Sequence, residues 1–269
     1  MDMKNALSTM LGKGLLGLLG PLSMVPISAP AAGPIMCEAR SPEHTVALLE
    51  LFTSEGCSSC PPADRWLSGL KGTGATLVPL ALHVDYWDYI GWKDVFAQPG
   101  FAARQEQQAH AGNTPVYTPQ FFVQGRPYRL PSSADGFGRD IAAIAQKPAG
   151  ADISLFLGQV ADGKLSFKFT ARLRQTQADA PAGVFVALYE NGLTTSVKAG
   201  ENRGATLHHD FVVREWIGPI AIPAGGSTER AMSFSLPLDR PSANFGVAAF
   251  VQNARTFDVM QALSRQVCA

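Results

Sequence analysis

The sequence carries no excess of charge of either sign: lysine plus arginine and aspartate plus glutamate each count 22 among 269 residues. Without a basic footprint the chain offers nothing to a phosphate backbone, which excludes nucleic acid as a partner. It also lacks an acidic or basic tail, an internal repeat and a low-complexity tract. No unbroken apolar run reaches the ~20 residues that a spanning helix requires, so stable membrane insertion is not expected. Charged residues make up 16% and hydrophobic ones 46%, the mix of an ordinary globular chain. Cysteine is scarce, at four. There is one CxxC, with no second CxxC and no C-x-x-H to complete a tetrahedral zinc site, and neither metal nor cofactor is expected.

What is present begins with an N-terminal segment that carries Lys4 and Lys13, then an apolar stretch broken by Gly and Pro, then Ala29-Pro30-Ala31. This pattern of charge, apolar run and small residues reads as a secretory signal over residues 1–31, with a membrane anchor as the competing reading. Its removal leaves 20 basic and 21 acidic residues, near neutrality. A periplasmic or secreted location follows, and four cysteines suit an oxidising compartment. Cys37 and Cys268 lie near the two ends of the remaining chain, where a terminal clasp is one outcome. Loss of Cys37 with the signal and a lipid anchor on Cys37 are the others.

Residues 44–147 read as an α/β unit. Strands are expected at 46–52, 76–84 and 119–124, and helices at 60–70, 101–111 and 133–146. Residues 147–151 (KPAGA) read as a linker. From 151 to 269 the texture changes to short alternating strands, at 153–160, 165–173, 183–189, 207–216, 231–236 and 245–251. Turn-forming Asn191-Gly192 and the run 224–226 separate them, as in an antiparallel β-sandwich.

The chemistry concentrates at Cys57 and Cys60. They lie between a buried strand and a helix start, where unpaired N–H groups and partial positive charge favour a thiolate. Cys57 is expected to attack a target disulfide and Cys60 to resolve the mixed disulfide. Ser58 and Ser59 are placed to cap helix N–H groups or donate to sulfur. A structural disulfide and half of a zinc site are the competing readings. Thr118-Pro119, 62 positions after Cys57 when counted to the proline, precedes an apolar strand. Glu50 interrupts the apolar strand seven residues before Cys57. There a desolvated carboxyl would take up the resolving thiol's proton, unless strand alternation turns it to solvent. His83 reads as a core histidine, and His208-His209 must point to opposite faces of a strand.

The order strand, CxxC, helix, strand, helix, X-Pro, strand resembles the thioredoxin superfamily. The segments ELFTSEGCSSCPPAD (50–64), HVDYWD (83–88), TPQFF (118–122), YENGL (189–193) and GENRG (200–204) are similar to a family of secreted, thioredoxin-like bacterial proteins, domain of unknown function 1223. The resemblance implies a thioredoxin-like α/β domain followed by an antiparallel β-sandwich-like region. It implies that Cys57 is the attacking and Cys60 the resolving thiol, with Pro119 a cis-proline that turns the Thr118 backbone toward a substrate chain. Protein thiols or disulfides are the implied partners. Copper or zinc delivery, and a binding module with an inert disulfide, are the alternatives. Gly56 stands where thioredoxins place Trp, and Pro61-Pro62 follow the motif. The aromatic and acidic stretch 85–94 is either a substrate-facing loop or a packed cap.

Overall fold

The computed structural model describes residues 35–72, 76–130, 134–174 and 181–268. The expected secretory segment, 1–31, lies outside them. The elements run β1 (Ile35–Arg40), β2 (Ala47–Thr53), α1 (Pro61–Ser68), β3 (Leu77–His83), α2 (Pro99–Ala111), β4 (Gln120–Val123), β5 (Arg126–Tyr128) and α3 (Ala134–Ala145). They continue through β6 (Ala151–Ala161), β7 (Lys164–Leu173), β8 (Ala182–Glu190), β9 (Leu193–Ser196), β10 (Thr206–His209), β11 (Val212–Ile222), β12 (Ser227–Ser235), β13 (Phe245–Asn253) and β14 (Val259–Gln266).

β2 and β3 are parallel, register Ala47 opposite Leu77 through Thr53 opposite His83, and every residue of both is buried. Burial on both faces is why these strands read as continuous apolar runs instead of alternating ones. α1 starts on Pro61 and Pro62, whose missing N–H groups cost nothing in a first turn.

One eight-stranded sheet, in the order β14-β13-β8-β11-β3-β2-β4-β5, takes strands from both sides of residues 147–151. The expected linker therefore does not separate two sheets. The physical reason is the edge of β3. Alone, residues 44–147 would leave its N–H and C=O groups unpaired, and β11 takes up that edge at Ala81. Val212 lies opposite Ala81, and the Ala81 N–H donates to Phe211 O at 2.8 Å.

A second sheet, antiparallel β1-β6-β7-β12, lies over the far half of the first. Along β8, Val184, Val186 and Leu188 face this second sheet, while Ala187 and Tyr189 face the core shared with the helices. The period of two thus divides one strand between two cores. That second core holds Phe167 and Phe234, stacked at 4.6 Å.

The expected strand 207–216 is two strands, broken at Asp210-Phe211, where Phe211 takes a φ of 58°. β1, β5, β9 and β14 are strands beyond those expected. β14 escapes notice because Gln261 sits in it fully buried, accepting from the Val46 N–H and donating to Pro42 O and His44 O.

Cys37 in β1 and Cys268 after β14 form a disulfide across 231 residues, the clasp among the outcomes considered above. A cross-link closing so long a loop restricts the unfolded chain strongly. The Cys37→Ser/Cys268→Ser protein is expected to lose about 2–5 kcal/mol of unfolding free energy, measured by urea denaturation with Cys57–Cys60 oxidised.

Candidate functional site

Cys57 and Cys60 form a disulfide at the start of α1, with Cα atoms 5.4 Å apart. Both residues are buried, at 1% and 0% exposure, while Ser58 and Ser59 between them are exposed. Cys60 is the N-cap of α1 and no side chain caps the helix, so the two serines do not take the capping role expected of them. Ser59 instead links the site. Its Oγ lies 3.3 Å from Cys57 Sγ and donates to Thr118 O at 3.5 Å. The Thr118–Pro119 peptide bond is cis, and Thr118 stands beside the dithiol turn.

The stretch 85–94 holds that arrangement. The Trp87 indole N–H donates to Thr118 Oγ1 at 2.7 Å. A Cβ on Gly56 would meet Trp87 Cβ at 2.9 Å, so the glycine before Cys57 is what lets the indole segment close on the turn. Trp92 donates to Glu55 Oε2 at 2.9 Å. Tyr89 is 82% exposed. One stretch thus supplies both a packed cap and an exposed rim.

Glu50 is not placed at the cysteines. Its carboxylate lies buried against α2, accepting from Arg104 Nε at 2.6 Å and from Gln108 Nε2 at 2.8 Å. The Arg104 guanidinium in turn lies 4.9–5.2 Å from the rings of Phe185, Trp216 and Phe250. Glu50 and Arg104 form a buried ion pair between the helix and the sheet, which is a packing role.

The acids that do surround the dithiol turn went unread in the sequence. Glu55, two residues before Cys57, is fully buried and 3.2 Å from His209 Nε2. Asp94 Oδ2 accepts from the Glu55 N–H at 2.8 Å and pairs with His83 Nδ1 at 2.7 Å. Asp64, one turn into α1, lies 3.8 Å from His209 Nδ1. Burial raises the Asp64 carboxyl above the ordinary carboxylate range, with the His209 and His83 charges pulling the other way. Burial also opposes charge on His83, but the Asp94 carboxylate outweighs it and His83 titrates above its ordinary value. Burial likewise opposes ionisation of Asp94, and there His83 and two backbone N–H groups prevail, lowering its pKa. His208 is exposed and His209 buried, as strand alternation requires.

The β9–β10 hairpin completes the site from the other half of the chain. Its loop, 197–205, contains the GENRG segment, 200–204. Asn202 Nδ2 donates to Glu55 O at 2.8 Å and Cys57 O at 3.0 Å. Glu201 Oε2 accepts from the Ser58 N–H at 3.0 Å. The signal for these residues was the GENRG motif itself, whose place beside the dithiol only the pairing of distant strands reveals. Among the described residues no group of three or more His, Cys, Asp or Glu side chains is arranged to hold a metal ion.

A family model described as protein of unknown function, DUF1223, matches residues 48–252. The chain belongs to DUF1223. The match spans the dithiol, Thr118-Pro119 and the GENRG loop together. Curated proteins give no match. Among solved structures, this DUF1223 chain is similar to protein AGR_C_4864 from Agrobacterium tumefaciens, with a TM-score of 0.57 at 23% identity over 85% of this chain and 99% of the other. It is also similar to HBP35 of Porphyromonas gingivalis, with a TM-score of 0.63 at 19% identity over 84% of this chain and 76% of the other. At these identities the likeness shows the fold.

Two outcomes follow from the buried pairs. Arg104→Met leaves Glu50 buried and uncompensated and is expected to cost about 3–5 kcal/mol in urea unfolding, with the Glu50→Gln/Arg104→Met double variant recovering part of the loss. A histidine whose folded pKa is raised contributes fully below its unfolded pKa of ~6.5, and loses the contribution as pH rises through the folded value. Unfolding free energy should therefore fall from pH 6 to pH 9 in the wild type. His83→Gln should flatten that slope, and an unchanged slope would show that another group carries it.

Proposed function

We propose that this DUF1223 protein is an exported thiol–disulfide oxidoreductase with a thioredoxin-like site, acting on protein thiols or disulfides in the periplasm or outside the cell. One observation carries the reading. Cys57–Cys60 opens α1 directly after a buried strand, and the distant Thr118-Pro119 is held against the same turn by Ser59 and Trp87. A structural bridge would not call for a second segment positioned beside its sulfurs.

In the reducing direction the Cys57 thiolate attacks one sulfur of a target disulfide and displaces the other as a thiolate. The Cys60 thiol gives up its proton and attacks the Cys57 sulfur, displacing the second target thiolate. Two electrons pass to the target, and Cys57–Cys60 ends as the disulfide. The oxidising direction is the same sequence reversed. The absence among the described residues of a helix long and apolar enough to cross a membrane is compatible with an exported protein that acts in solution.

The burial of both cysteines favours a second reading, a structural disulfide in a binding module. The midpoint potential of Cys57–Cys60 separates the two. A value between about −120 and −270 mV supports exchange chemistry, and one below roughly −300 mV supports the structural bridge. In the exchange reading, Cys57→Ser abolishes turnover of a test disulfide while leaving Cys37–Cys268 intact. A Cys57→Ser protein as active as wild type would sink it.

A further inference from the structure

The surroundings of Cys57 bear on the direction of that chemistry. A dithiol is made oxidising by groups that stabilise its thiolate, above all free N–H groups at a helix start. Here most of those backbone groups are missing or engaged, and the Ser59 hydroxyl, 3.3 Å from Cys57 Sγ, is a side-chain group still within reach of the sulfur. Positions 61 and 62 are proline and have no N–H. The Ala63 and Asp64 N–H groups turn back to Cys60 O at 2.9 and 3.1 Å. The Cys57 and Cys60 N–H groups donate to Ser54 O and Cys57 O, both at 3.2 Å. The Ser58 N–H, the next amide after Cys57, donates to the Glu201 carboxylate at 3.0 Å.

Glu201 therefore does two things to a thiolate on Cys57. It occupies a donor that would otherwise serve the sulfur. It also sets a negative charge one peptide unit away, inside the ~10 Å Debye length of 0.1 M salt. The uncharged disulfide and the protonated thiol feel no such repulsion. The charged groups on the inner side of the turn are Glu55, Asp64, His83, Asp94 and His209, from the turn after β2, α1, β3, the 85–94 stretch and β10. On the open side, Glu201 is the charged side chain bonded to the turn. Ser58 in return holds Glu201 below the ordinary carboxylate range, so it is ionised at neutral pH.

We infer that Glu201, supplied by the β9–β10 hairpin, is a potential-setting residue that disfavours the Cys57 thiolate and holds the Cys57–Cys60 pair on the reducing side. The inference rests on the oxidoreductase reading and gives it a direction: electrons pass from this dithiol to oxidised protein targets. It requires a donor dithiol upstream to regenerate the reduced pair.

The test uses the mature protein with Cys37–Cys268 intact. The thiol titration of Cys57 and the midpoint potential of the pair are measured in wild type, Glu201→Gln and Glu201→Lys, at 0.1 M and 1 M salt. Glu201→Gln keeps an acceptor for Ser58 and removes the charge. It should raise the acidity of Cys57 roughly two- to fivefold, the scale of an exposed charge pair. Glu201→Lys should move it further the same way, and 1 M salt should shrink both changes. At pH values above the Cys57 titration the potential should rise by the same two- to fivefold in equilibrium constant, ~10–20 mV. Below the titration the three proteins should share one potential. An unchanged titration in both variants, or a shift of equal size in 1 M salt, would overturn the assignment to charge. A wild-type potential below about −300 mV would sink the oxidoreductase reading itself, whatever Glu201 does.

Discussion

The site depends on one pairing, that of β11 with β3. It is narrow: Val212 opposite Ala81, reinforced by Gln98 Nε2 donating to Arg214 O at 3.0 Å. Only two residues, Asp210 and Phe211, separate β10 from β11. Seating Val212 on β3 therefore also seats His209 beside Glu55, and carries the hairpin tip to the dithiol turn. Asp210 adds a tether by accepting from the Gly192 N–H at 2.8 Å and pairing with Lys71 at 2.6 Å. Lys71 is half exposed, so solvent screens that pair and leaves it a small share of the stability. The larger share comes from what the pairing buries, with β3 and β8 covered on both faces of one sheet.

That burial also explains how so many polar groups survive near the cysteines. Glu55, His83, Asp94 and His209 are each 2% exposed or less. A buried charge without partners is expensive, and here Glu55 and Asp94 each have a histidine or indole donor within hydrogen-bond reach. The stacked Phe185 and Phe250 and the neighbouring Trp216 do the same for Arg104, offering ring faces to a cation whose charge Glu50 neutralises.

Local order was legible in the sequence and long-range company was not. β2, α1, β3, α2, β4 and α3 stand within a few residues of where their apolar spacing puts them, because the period of side chains along an element is a local property. The cysteine pair and Thr118-Pro119 were legible for the same reason: both are short runs with a fixed local geometry. The role of Glu50 was not. Strand position alone gives a face, and which helix covers that face is decided by Arg104, 54 residues away. β14 hid behind Gln261, a polar side chain that satisfies itself only once residues 42–46 arrive from the other end of the chain. The hairpin that completes the site was visible as a motif and invisible as a neighbour, since nothing in GENRG states that β11 will pair with β3.

The dithiol turn shows how fold and chemistry draw on the same groups. A backbone amide near the helix start can either serve the turn or serve a thiolate, and in this chain the turn has taken most of them. Pro61 and Pro62 fix the helix start by the means that deprive it of donors. Asn202 and Glu201 fix the turn by filling its C=O and N–H groups from outside. The contacts that engage N–H groups of the turn withdraw donors from a charged sulfur, while the Ser59 hydroxyl stays within 3.3 Å of Cys57 Sγ. On the proposed reading, the rigidity of this turn and the oxidising power of its sulfurs draw on the same N–H groups, so that what serves one is withheld from the other.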